Sequence, residues 1–136
     1  MASELRVNTL KDANGNNSIA TSTVAQGSAK AWSNFDQRTS LSVSDSFNLS
    51  SQSDVEAGNI AITLSNNMSD GNYVVAGLGH YIDSSENPLV PGMGLRRGVA
   101  KTSSVYETQT TTAVWSASAV GADVDSVMTV VQGDLA

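Results

Sequence analysis

His80 is the only histidine in the chain, so any serine-hydrolase relay or imidazole-held metal would depend on it alone. Neither a Gly-x-Ser-x-Gly turn nor a His-x-x-x-His pair accompanies it, and such chemistry needs a partnered nucleophile or further ligands. It reads as a strand-end or surface side chain. Asp123 and Asp125 stand two positions apart and would share one face of a strand, where paired carboxylates bind calcium or cleave glycosides. No opposing pair can be placed from sequence, and Asp often opens turns, so strand entry is the expected role. Asp12, Asn14 and Asn16 match the opening ligands of a calcium loop, but Gly15 falls in the wrong place and the closing glutamate is missing. A tight turn is expected there. Gly92-Met93-Gly94-Leu95-Arg96-Arg97-Gly98 looks like a phosphate-cradling loop but misses the dinucleotide spacing, and no helical pattern follows it. It is expected to be a loop whose adjacent cations, Arg96 and Arg97, meet an acidic neighbouring subunit or stand in solvent. Trp32, Tyr81 and Trp115 could stack on a sugar ring, although a chain with two Trp, three Tyr and two Phe needs most of them for its core. These five residues are the candidate partner or glycan contacts. No catalytic residue, metal site or cofactor site is expected.

Charge and composition narrow the classes further. Seven Lys and Arg against 13 Asp and Glu give a net charge of −6, with no basic run to neutralise phosphates, so nucleic acid is not an expected partner. No apolar stretch approaches the roughly 20 residues of a membrane helix. The opening Met1-Ala2-Ser3-Glu4-Leu5-Arg6 lacks the cationic start and apolar block of a secretion signal. With no cysteine, disulfides, thiolate metal sites and thiol nucleophiles are excluded. Ser, Thr and Asn number 21, 11 and 11, a balance that favours turns and water-facing strands over helix interiors.

The elements that must position these residues read as strand, turn, strand. Leu5-Val7-Thr9 alternate, then Asn14-Gly15 signals a tight turn, and Ile19, Thr21 and Thr23 alternate after it. In the run from Ala29 to Phe35, Trp32 and Phe35 fall on opposite faces, so one of them should meet a second layer or a neighbouring subunit. Tyr73 to Gly79 is continuously apolar, as a strand covered on both faces would be. Residues 83–98 break up around prolines and glycines into the longest expected loop. The spacing predicts one domain over 1–136, an antiparallel β-sandwich or jelly-roll-like fold with an N-terminal strand or arm at about 1–28. Leu41, Val43, Ile60, Ile62, Leu64, Val74, Val127 and Val130 are expected to supply much of its core.

Five segments in order also carry a resemblance: Leu5-Arg6-Val7-Asn8-Thr9-Leu10 with Asn14-Gly15-Asn16, Ala29 to Phe35, Asp45 to Ser51, Met68 to Val75, and Asp125 to Gly133. Together they resemble the β domain that recurs in tail-fibre and other virion surface proteins of tailed bacteriophages, many from marine bacteria. The resemblance implies a non-enzymatic virion subunit, assembled in the host cytoplasm, that forms homo-oligomers, most simply a homotrimer, with phage capsid or tail proteins as further partners. A shaft, heptads and collagen-like repeats are lacking, so a capsid decoration protein or short fibre is expected. The alternative is a tail-fibre or tail-tip adhesin that binds a host surface glycan. Serine-rich strands leave few large apolar side chains for one core, and the uncharged run Val127 to Val131 would be a hazard as an open edge. Subunit contacts should therefore add burial and tie down both ends.

Overall fold

The computed structural model describes residues 5–80, 92–112 and 120–136. A small antiparallel hairpin comes first, β1 (Thr9–Leu10) with β2 (Ile19–Ala20). The tight turn expected there joins them: Asp12 Oδ1 accepts the backbone N–H groups of Asn14 at 3.0 Å and Asn16 at 2.8 Å, with Gly15 at φ +76°. The alternation through Thr21 and Thr23 does not become a strand. Thr21–Gly27 forms a short helix, α1, none of whose residues is buried.

The body is an antiparallel β-sandwich. One sheet has the order β4-β3-β11-β7, from β3 (Ala31–Asp36), β4 (Ser42–Phe47), β7 (Val74–His80) and β11 (Ser126–Gln132). The other holds β5 (Leu49–Glu56), β6 (Asn59–Leu64), β8 (Gly92–Leu95), β9 (Val105–Thr112) and β10 (Val120–Gly121). Thr108 pairs both Ile60 of β6 and Leu95 of β8, so these strands flank β9 on its two sides. The β8 ladder corrects the expected loop at its 92–95 end. The chain switches sheets at Asn48, which holds φ +58° while its side-chain amide bonds the carbonyls of Lys30 at 3.0 Å and Asn66 at 3.1 Å.

Two-residue alternation, interrupted by bulges where β3 meets β4 and β5 meets β6, turns one face of each sheet inward. Ile60, Ile62 and Leu64 meet Phe35, Tyr106, Val127 and Val131 in a core that also takes in Met68, Tyr73 and Val124. Leu41 packs partly buried against it. Three expected core positions are different. Val130 points outward because β11 buries Val127, Thr129 and Val131 instead. Val74 is 61% exposed and Val43 42% exposed, both on edge strands. The β7 strand is covered on one face only: its inward positions include Gly77, where a Cβ would run into the Met128 carbonyl and the Met93 thioether. Nor is β11 an open edge, since β3 and β7 pair it on both sides.

A chain of hydroxyls crosses the core. Ser33 Oγ lies 2.7 Å from Thr129 Oγ1, which lies 3.0 Å from the Tyr106 hydroxyl on the opposite sheet. Beside it, Tyr73 meets Tyr106 edge-on with ring centres 6.3 Å apart. The C-terminal segment is held by its own chain, with Ser69 N–H donating to the Asp134 carbonyl at 2.8 Å and Ala136 N–H to Asn67 at 3.0 Å. The expectation that neighbours secure both ends therefore does not apply to this one.

Candidate interaction surface

The outer face of the β4-β3-β11-β7 sheet follows from the same alternation that fills the core. Register aligns Phe47, Trp32, Val130 and Ala76 in a single row across all four strands. The adjacent row runs Asp45, Asn34, Met128 and Leu78, and on the other side Val74 stands opposite Gln132. Leu78 is 68% exposed, Val74 61% and Phe47 53%, with Trp32 and Met128 each at 38%. Strand spacing of about 4.8 Å and a two-residue repeat of about 6.8 Å make this apolar field roughly 14 Å across and equally long. Carboxylates mark one end. Asp45 sits in the second row, and Asp36 closes β3, its carboxyl held below the usual range chiefly by the Thr39 backbone N–H, with Arg38 N–H assisting.

Of the residues singled out from sequence, Trp32 belongs to this face, while its inward counterpart Phe35 is fully buried, as their opposite phases require. Arg96 does not. Its guanidinium bonds Glu107 and Glu56 at 2.6 Å each, tying the end of β8 to β9 and to the β5–β6 turn. The hydrogen bond to Glu107 is the main reason its pKa rises further above the ordinary value. The acidic partners foreseen on a neighbouring subunit are thus supplied by its own chain. Arg97 is exposed next to it. Tyr81 and Trp115, and with them the three-aromatic sugar platform, lie outside the described residues. Nothing in the sequence singled out Phe47, Leu78 or Met128. The usable signal was Val74-Ala76-Leu78 alternating with Val75-Gly77-Gly79, which gives one phase bulk and the other mostly glycine.

The remaining candidates take structural positions. His80 ends β7 opposite Ser126. Asp123 accepts the Gly58 N–H at 2.7 Å, and Asp125 lies 3.6 Å from Arg38, so the two carboxylates serve the entry to β11. Among the described residues, no three His, Asp or Glu side chains converge as a metal site would require. One shallow cleft of about 300 Å³ lies between Gln26, Asp70, Tyr73 and Asp134. Asp70 is occupied there by the Asn72 backbone N–H at 2.7 Å and its side-chain amide at 2.8 Å, bonds that lower its pKa. A second, of about 270 Å³, lies along Gly92–Leu95 beside Gln109 and Thr111. Neither brings convergent reactive groups together. No family model matches the chain, no curated protein matches its sequence and no solved structure matches its fold.

Proposed function

We propose that the protein is a non-enzymatic structural subunit that assembles with copies of itself, most simply as a trimer, through the outer face of the β4-β3-β11-β7 sheet. The uncharged row Phe47–Trp32–Val130–Ala76 with Leu78 and Met128 carries this reading. Apolar side chains gathered in adjoining rows of one face favour association there more than scattered single apolar residues do. The resemblance to phage virion domains supplies the setting: a surface subunit of the particle, as capsid decoration or short fibre, built in the host cytoplasm beside capsid or tail proteins. Light scattering on the purified chain tests the association. The wild type is expected to be oligomeric at micromolar concentration, and Phe47→Ser/Leu78→Asp to be monomeric with an unchanged β-type circular dichroism spectrum. A monomeric wild type, or a variant that stays oligomeric, overturns the reading.

A second reading, glycan recognition by an adhesin, rests on Trp32 and Phe47 exposed in one row with Asn34 and Asp45 in the next. Glycan-array binding that is lost on Trp32→Ala while the oligomer persists would favour it.

A further inference from the structure

The N-terminal arm of this chain poses a physical problem that the sandwich does not solve. Every residue from Leu5 to Ala29 is exposed except Thr21, which is half-buried. Leu5 is 81% exposed, and Val7, Leu10, Ile19 and Val24 are each 40–43% exposed. The local structure is real but too small to sustain itself: a hairpin of two-residue strands and a seven-residue helix with no side-chain cap. Isolated helices under about 12 residues and lone hairpins are marginal in water. A segment with a specified shape, spaced apolar residues and no burial of its own requires a surface supplied from elsewhere.

The same molecule offers such a surface. The arm leaves the sandwich where Lys30 N–H bonds the Val131 carbonyl at 2.8 Å and the Gln132 amide bonds the Gly27 carbonyl at 3.1 Å. Its root is therefore on the rim of the very sheet whose outer face is bare. Charge favours the arm as occupant of that face, and because the arm lies exposed in its own chain the face it covers belongs to a second copy. Arg6, Lys11 and Lys30 against Glu4 and Asp12 give the first 30 residues a net charge of +1, while the other 106 residues carry four cations and eleven acids, a net −7 that completes the total of −6. Two bare faces meeting directly would enclose the Asp36 and Asp45 carboxylates of both copies in one interface. A cationic arm meeting that face brings opposite charges together.

We propose that the arm, residues 5–29, seats its apolar side chains on the outer face of the β4-β3-β11-β7 sheet of a second copy, so that subunits are joined by arm exchange. This rests on the self-assembly reading above and names its occupant. An arm that reaches from one copy to the next gives a heterologous contact, which closes into a ring when the rotation between neighbours closes and otherwise runs on as a filament.

The full chain tests this by two readouts. Leu10→Ser/Ile19→Ser/Val24→Ser alters exposed residues only, and Leu78→Cys places the chain's sole thiol on the face, where its rate of maleimide labelling reports cover. In the Leu78→Cys background, the thiol is expected to label slowly in the oligomer. Adding the three arm serines should raise that rate at least tenfold and reduce the light-scattering mass to the monomer, with the circular dichroism spectrum unchanged. If the arm variant keeps both its oligomer mass and a protected thiol, arm exchange is overturned while self-assembly stands. If Leu78→Cys and the wild type are both monomeric, both ideas fall, whether the thiol is open or covered by the chain's own arm.

Discussion

Replacing Thr129 with valine keeps the shape of the side chain and removes one hydroxyl from the centre of the sandwich. That hydroxyl lies 2.7 Å from Ser33 Oγ and 3.0 Å from the Tyr106 hydroxyl, and the three residues are 4%, 3% and 1% exposed. Two hydrogen bonds disappear, each contributing about 1 kcal/mol, and a buried hydroxyl left without a partner costs about 1–3 kcal/mol. Ser33 and Tyr106 flank the same Thr129 hydroxyl, so the two survivors can turn toward each other and the cost falls at the lower end of the sum. The added methyl returns up to about 0.8 kcal/mol. The net expectation is a loss of about 2 kcal/mol, or roughly 8 °C in melting temperature for a domain of this size. Urea unfolding followed by tryptophan fluorescence, at one fixed protein concentration, measures it. The triple variant Ser33→Ala/Thr129→Val/Tyr106→Phe strands nothing, and should be far less destabilised than the sum of its three single changes. Near-wild-type stability in Thr129→Val, or strict additivity in the triple variant, would refute the hydroxyl chain as a coupled unit.

Gly77→Ala drives a Cβ into the Met128 carbonyl and the Met93 side chain, and is expected to cost about 2 kcal/mol or more in denaturant unfolding; Met93→Ala in the same chain should recover only part, because the carbonyl belongs to the ladder. Alkaline titration gives a further test. Burial, with Tyr106 alongside, pushes the Tyr73 phenol up to about 12, and burial also raises that of Tyr106. Because the fold holds these protons while the unfolded chain releases them near pH 10, their contribution is complete below pH 10 and declines toward pH 12, by at most about 1.4 kcal/mol per pH unit for each tyrosine. Urea midpoints that stay flat from pH 9.5 to 11.5 would contradict the burial of both rings.

Sandwich architecture was legible where bulk and phase agreed. Ile60, Ile62 and Leu64 admit one orientation, and Trp32 against Phe35 predicted two environments that both exist. Phase was lost where both faces of a strand are apolar. In Val127-Met128-Thr129-Val130-Val131, hydrophobicity alone chooses Val130, but the inward row is fixed by Thr129 meeting two other hydroxyls, a reason that resides in Ser33 and Tyr106. Glycine misled in two directions: it made the β8 strand look like a loop, and it made the half-exposed β7 strand look buried on both faces. Helix α1 spans only two turns, too few for periodicity to register, and is rich in threonine and serine. The ion pairs of Arg96 join residues 40 and 11 positions away, a distance over which local sequence is silent. The apolar outer face was hidden for a related reason, since it is assembled from every second residue of four strands.

The pairing of β3 with β11 has a consequence for how the protein comes into being. Ser33 and Thr129, neighbours in the middle of one sheet, are 96 residues apart in the chain. A ribosome must release nearly everything up to Gln132 before the central ladder of that sheet can close. Loop closure of that span places it among the slower folders, in the range of milliseconds to seconds. Throughout that interval β7 and its apolar side chains lack β11, the strand that aligns them, and a cell producing many copies at once is most exposed to misassembly before the last strand arrives.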